Sequence, residues 1–130
     1  MVRTPTAWPL SVMVSGHPPS ANELRRLHPL VRYHRCKPLK EQVAWQCKAL
    51  HLPAPLSRAR VLATLIYTRR QFRDYDGAVA SIKPCLDGLV VGGLLTDDSP
   101  ARLELEVRQQ LGKERSVRLE VWPAENGETA

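Results

Sequence analysis

At 130 residues the chain has room for one domain with one hydrophobic core. With 43% hydrophobic and 25% charged residues, its composition excludes wholesale disorder. The longest uncharged apolar stretch, residues 88–96, is far short of the roughly 20 residues that a membrane-spanning helix needs, so no membrane partner is expected. The net charge of +6 is unevenly spread. Residues 1–73 hold 13 Lys and Arg against Glu23 and Glu41, whereas residues 74–98 hold all five aspartates against Lys83 alone. Cys36, Cys47 and Cys85, an odd count without CxxC spacing, suit a reducing, cytoplasmic setting.

A loose N-terminus leads into a first strand at residues 10–14, too short an apolar run for a secretory signal. His17-Pro-Pro-Ser-Ala-Asn22 breaks it, because proline withholds an amide donor and blocks helix continuation. Residues 22–40, with Arg25, Arg26, Arg32, Arg35 and Lys37, are basic and proline-punctuated and read as a long loop. Pro38 suits the first turn of a helix to about residue 51, with Leu39, Val43, Gln46 and Leu50 on one stripe and Pro53 and Pro55 ending it. Residues 60–68 form the strongest strand candidate, and Arg69, Arg70 and Arg73 follow it.

Between residues 76 and 91, Val79, Ile82, Leu86 and Leu89 recur at helical steps. Pro84 must start, kink or break that helix, and Gly92-Gly93 ends it. Residues 102–108 and 116–122 alternate apolar and polar, and the short link containing Gly112 predicts a hairpin. Residues 123–130 read as a disordered tail. The expected fold is a single small α/β (α+β) domain, a mixed sheet of about four strands with two helices, its core spanning about 9–122.

The aspartate window concentrates the chemistry. Aspartate is a poor helix former with a short, rigid carboxylate, better suited to caps and metal ligation than to solvated helix faces. Asp74 and Asp76 at i, i+2 would point the same way from an extended segment. Helical spacing puts Asp76, Lys83 and Asp87 on one polar face, and Asp97-Asp98 follows the glycine turn, where the chain can fold back. Converging carboxylates repel one another unless a hard cation such as Mg²⁺ or Mn²⁺ joins them. A basic surface around such a site would gather phosphates for metal-assisted cleavage. The plainer reading is a set of caps and turns: Lys83 and Asp87 as an i,i+4 ion pair, and Asp97-Asp98-Ser99-Pro100 as a polar turn.

Arg73-Asp-Tyr-Asp-Gly77, Lys83-Pro-Cys-Leu-Asp87-Gly-Leu89, Gly93 and Thr96-Asp-Asp-Ser-Pro100 resemble the core of the RusA-type Holliday junction resolvases. Their pattern runs D-x-D-N, a lysine, D-x-L, a glycine and a D-D pair, and Pro18-Pro-Ser-Ala-Asn22 resembles the segment after the family's first strand. The resemblance implies a homodimeric crossover junction endonuclease of recombination and repair, found in bacterial or phage-infected cells. Such an enzyme binds four-way DNA junctions and nicks two strands symmetrically with Mg²⁺ or Mn²⁺. By position, Asp74, Asp76 and Asp98 match its metal-binding carboxylates, Lys83 matches its catalytic lysine, and Asp97, the other member of the D-D pair, is a further candidate at the metal. Gly77 departs from the pattern, where the family carries asparagine. A prophage relative that binds branched DNA without cutting it is the alternative.

Arg25, Arg26, Arg32, Arg35 and Lys37, with Arg69, Arg70 and Arg73, are the candidate DNA contacts. His34, Cys36, Cys47 and His51 offer an H-x-C and C-x₃-H set, but the spacing is not that of a common zinc finger. Cys47 and Trp45 are expected in helix packing instead. Trp8, Trp45 and Trp122 read as core or dimer-interface residues rather than base-stacking platforms.

Overall fold

The computed structural model describes residues 8–52 and 54–124; the first seven residues, Pro53 and the tail from residue 125 lie outside the described residues. β1 (Leu10–Ser15) buries Leu10, Val12 and Val14 and exposes the residues between them, the period-two pattern of a strand with one covered face. β2 (Ala59–Tyr67) is buried along most of its length because it lies inside a four-stranded sheet. With β3 (Leu103–Leu111) and β4 (Ser116–Pro123), the order across the sheet is β1-β4-β2-β3. The domain is thus a small α+β unit on a mixed sheet, as expected.

β4 pairs antiparallel with both β1 and β2, and β3 pairs parallel with β2. The hairpin expected between β3 and β4 is therefore not formed, since β2 lies between them. Alternation reports that each strand has two unlike faces but not which strand is its neighbour. A parallel neighbour needs a long crossover, and α3 (Tyr75–Ser81) with α4 (Lys83–Val91) supplies it. The β3–β4 link passes over the end of β2, where the Gly112 amide donates to the Tyr67 carbonyl at 2.8 Å. A Cβ at residue 112 would collide with the Ile66 side chain, so glycine permits the passage. Pro123 ends β4 and the Ala124 amide bonds Arg58, so the expected tail is ordered to this point.

The basic segment expected as a loop is helical instead, in α1 (Ala21–Arg26) and α2 (Pro29–Ala49). Ser20 and Glu23 form a capping box: the Glu23 amide donates to Ser20 Oγ at 3.1 Å and the Ser20 amide to Glu23 Oε1 at 3.0 Å. His28 Nδ1 accepts from the Leu30 amide at 3.1 Å, with Pro29 in the first turn of α2. Pro38 sits inside α2, so proline did not mark the boundary; burial of Leu39, Val43, Ala44 and Cys47 downstream holds the helix in place. Pro84 falls in the first turn of α4, and the chain breaks at Ile82.

Helices and sheet share one hydrophobic cluster containing Val12, Val43, Val61, Leu65, Ile82, Leu89 and Leu119. Gln46 does not join this core: its amide bonds the Met13 amide and carbonyl, and Gln42 accepts from the Ser15 amide. Those bonds satisfy the free edge of β1. Trp45 is 78% exposed, contrary to the packing role expected of it, whereas Cys47 is buried.

Gly88 of α4 and its C-cap Gly92 lie one turn apart, against α2. A Cβ on Gly88 would stand 2.6 Å from Val43 Cβ and 2.7 Å from the Lys40 carbonyl; one on Gly92 would stand 2.6 Å from Cys47 Cβ. Gly88→Ala improves helix propensity by about 1 kcal/mol. Overpacking at a contact this close costs about 2–3 kcal/mol, the upper part of the usual range, so the fold should nonetheless lose a net of about 1–2 kcal/mol. Urea unfolding measures the sign, and a stabilised Gly88→Ala would reject this close approach as a constraint.

Candidate active site

Asp74 is the last extended residue before α3 and caps it, Oδ2 accepting from the Gly77 amide at 3.1 Å. Asp76 lies in the first turn of the same helix, so the two carboxylates do not share an extended segment as expected. Both sit at a helix N-terminus, where the backbone dipoles favour negative charge. They line a cleft of about 520 Å³ with Arg25 of α1 and with Phe72 and Arg73 of the preceding loop. Asn22 accepts from the Arg25 guanidinium at 2.5 Å and holds it at this cleft. The cap that an asparagine at position 77 could provide is already made by Asp74, and a Cβ there would press on Asp74 Oδ1 at 2.9 Å.

Lys83 opens α4 and forms a second group. Its ammonium pairs with Asp87 at 3.2 Å and more closely with Asp98, from the loop after α4. The break at Ile82 separates Lys83 and Asp87 from Asp76, so the single polar helix face expected for all three is split. The hydrogen bond to Asp98 raises the Lys83 pKa most; burial opposes the shift and Asp87 adds to it. Lys83 is therefore a fixed cation at neutral pH, suited to stabilising charge and unsuited to acting as a base. Asp97 turns onto the Ser99 amide at 2.9 Å and towards Arg102 at 3.5 Å. The Ser99 hydrogen bonds and then Arg102 hold its carboxyl below the usual range. The cap and turn reading thus describes Asp74 and Asp97, and the ion-pair reading describes Lys83 and Asp87.

Carboxylate oxygens are the donors that Mg²⁺ and Mn²⁺ prefer, and Mg²⁺ commonly takes one or two carboxylates, with waters and substrate phosphates completing its shell. Asp74 and Asp76 fit that donor set. Asp98 is engaged by Lys83 instead. Among the described residues no three His, Cys, Asp or Glu side chains gather closely enough to hold a metal ion. The same holds for His34, Cys36, Cys47 and His51. Burial pushes the Cys47 thiol up to about 11, away from the thiolate that zinc requires.

The basic candidates divide among several places. Arg25 faces the aspartate cleft, while Arg32 and Lys37 of α2 line a cavity of about 360 Å³ shared with Lys83 and Asp87. Arg35 pairs with Glu23 at 3.5 Å and Lys37 with Glu41 at 4.0 Å. Arg26 is exposed in the last turn of α1, and Arg69 and Arg70 are exposed beyond β2. No helix among the described residues is long and apolar enough to cross a membrane. Cys36, Cys47 and Cys85 are all free.

Sequence reasoning missed Gln109, on β3. Its Oε1 accepts from the Arg73 amide at 2.8 Å and from the Tyr67 hydroxyl at 2.5 Å, and its Nε2 donates to the Arg73 carbonyl at 2.8 Å. Gln109 thereby anchors the backbone beside Asp74 to the sheet. His17, read from the sequence only within a strand-breaking run, meets the Ile66 carbonyl through Nε2 at 2.6 Å. Its Nδ1 accepts from Arg115 Nε at 3.1 Å. Together these contacts specify the neutral tautomer with the proton on Nε2. No family model matches the chain, and no curated protein matches it.

Burial first, then the charges of Arg115 and Arg73, lower the His17 pKa from its ordinary 6.5. The unfolded chain then binds a proton that the folded chain refuses, so stability is full above about pH 6.5 and falls as pH drops towards the folded value. His17→Gln should flatten that acid-side loss in urea titrations between about pH 7 and about pH 5; an unchanged profile would place the proton uptake elsewhere. Asp74→Ala should cost about 1 kcal/mol through the lost cap, whereas Asp74→Asn should cost little, since asparagine caps equally well. Thermal unfolding of both variants reads the difference.

Proposed function

We propose that the chain is a Mg²⁺- or Mn²⁺-dependent endonuclease that nicks branched DNA, above all four-way junctions, in recombination and repair. The observation that carries this reading is the Asp74/Asp76 pair sharing one cleft with Arg25 and Arg73. Carboxylates without arginines would repel a phosphodiester, and arginines without carboxylates would only bind one. The motif resemblance to the RusA-type resolvases supplies the branched substrate, the homodimer and a bacterial or phage-infected cytoplasm. A C2 dimer matches the near two-fold symmetry of a junction and offers one site to each nicked strand.

In this reading Arg25 and Arg73 draw the phosphate backbone into the cleft. Asp74, kept in place by its own cap and by the Gln109 anchor on Arg73, and Asp76 would hold the cation. A hard cation there supplies Lewis-acid polarisation of the phosphodiester and acidifies its water ligand. Lys83, which lines a separate cavity with Asp87, has from the motif resemblance alone the role of offsetting charge growing on the phosphate. Because Asp87 and Asp98 share its ammonium, an incoming phosphate must take the place of at least one of them. The second reading, a protein that binds branched DNA without cutting it, is favoured by that same Lys83–Asp98 pair, which occupies a carboxylate that the resemblance assigns to the metal.

A nicking assay on a four-way junction with and without Mg²⁺ separates the two readings. Cleavage by the wild type that is lost in Asp74→Asn and Asp76→Asn, with junction binding retained, supports the nuclease. Junction binding with no Mg²⁺-dependent cleavage supports the second reading. Lys83→Ala should lower the single-turnover rate by about 10²–10³ and leave junction binding intact. Lys83→Arg keeps the charge but alters its geometry, and should also be impaired. Wild-type rates in both Lys83 variants would remove it from the chemistry.

A further inference from the structure

We propose that Arg69, Arg73 and Arg115 form a phosphate-binding pocket, distinct from the aspartate cleft, whose ligand is a backbone phosphodiester of DNA. The cavity, about 330 Å³, opens at the end of β2 and is lined by Tyr67, Thr68, Arg69, Gln71, Arg73 and Arg115, with no carboxylate among them. Arg115 comes from the β3–β4 link and was not among the basic residues singled out by the sequence.

Three observations point to an anion here. First, the arginines are uncompensated. Arg35, Arg102, Arg108 and Arg118 each reach a carboxylate, whereas Arg69, Arg73 and Arg115 reach none among the described residues. Second, Arg73 is half-buried, its Nη2 donates to the Pro18 carbonyl at 2.8 Å, and its Nη1 is buried without a partner. Glu23 acts on Arg73 only from beyond ion-pair distance and is itself paired with Arg35. A guanidinium taken out of water with neither a carboxylate in contact nor a full set of acceptors is costly, and a nearby anion offsets that cost. Third, the site is pre-positioned. His17 Nδ1 fixes Arg115 through Nε, and Gln109 fixes the Arg73 backbone. Planar guanidiniums suit the paired oxygens of a phosphate, and Thr68 and Gln71 add neutral donors at the rim.

Arg73 lines both this pocket and the aspartate cleft. A phosphodiester in the pocket therefore lies beside the one proposed to react and holds the strand on that side. The pocket stands without the nuclease reading; only the assignment of its phosphate to DNA rests on it.

The test uses the full chain and the Arg69→Gln/Arg115→Gln double variant, which alters two exposed side chains and spares Arg73 and its bond to Pro18. In the wild type, inorganic phosphate should shift the Nε–H resonances of Arg73 and Arg115 saturably, and the double variant should show no saturable shift. Binding of a four-way junction across a salt series should have a log–log slope smaller by about one in the double variant, for the one phosphate the pocket no longer neutralises. Both results support the proposal. No saturable shift with phosphate overturns the pocket. A saturable shift with an unchanged salt slope overturns the DNA assignment and points to free phosphate or a nucleotide. A wild type that binds junctions with the full slope but does not cleave them in Mg²⁺ would defeat the nuclease reading and leave the pocket standing.

Discussion

Parallel pairing of β3 with β2 is the constraint on which the rest of the molecule depends. Two parallel neighbours cannot be joined by a tight turn, so the chain leaves the end of β2, runs back along the sheet as α3 and α4, and re-enters beside Ala59. Every candidate catalytic side chain lies on that path. Asp74 and Asp76 stand where the crossover begins, Lys83 where it breaks, and Asp98 in the loop that returns it to the sheet. The same pairing places Gln109 of β3 beside the exit from β2, where it ties down the backbone at Arg73.

The crossover is held against the rest of the domain by the close approach of α2 and α4. Gly88 and Gly92 let the two helices meet almost backbone to backbone, and this contact brings the basic α2 alongside the acidic window. A strongly basic N-terminal half and an aspartate-rich segment, separate in the sequence, thereby come to share clefts. Arg25 meets Asp74 and Asp76 in one, and Arg32 and Lys37 meet Lys83 and Asp87 in another.

Ion pairing then sorts the charges into two populations. Some are satisfied within the fold: Lys83 by Asp87 and Asp98, Arg102 by Asp97, Arg35 by Glu23. Others, around Arg69, Arg73 and Arg115, lack carboxylate partners among the described residues and leave positive charge unbalanced at the end of β2. Exposed ion pairs contribute little to stability, so a phosphate can exchange for one of them at small cost.

Local features were legible in the sequence: the alternation of β1 and of the last two strands, the apolar stripe from Val79 to Leu89, and the concentration of aspartates after a basic half. Each depends only on residues a few positions apart; the Ser20–Glu23 capping box is equally local but went unread beside the prolines around it. Proline was a poor guide because packing of Leu39, Val43 and Cys47 outweighs one missing hydrogen bond in a 21-residue helix. Only the tertiary structure decided that β2 would come between β3 and β4, that Asp98 would pair with Lys83 instead of joining Asp74 and Asp76, and that Arg115 and His17 would meet. Those outcomes rest on contacts between residues as far as 98 positions apart. Sequence alone determined which surfaces needed partners; the geometry of the whole sheet determined which partners they found.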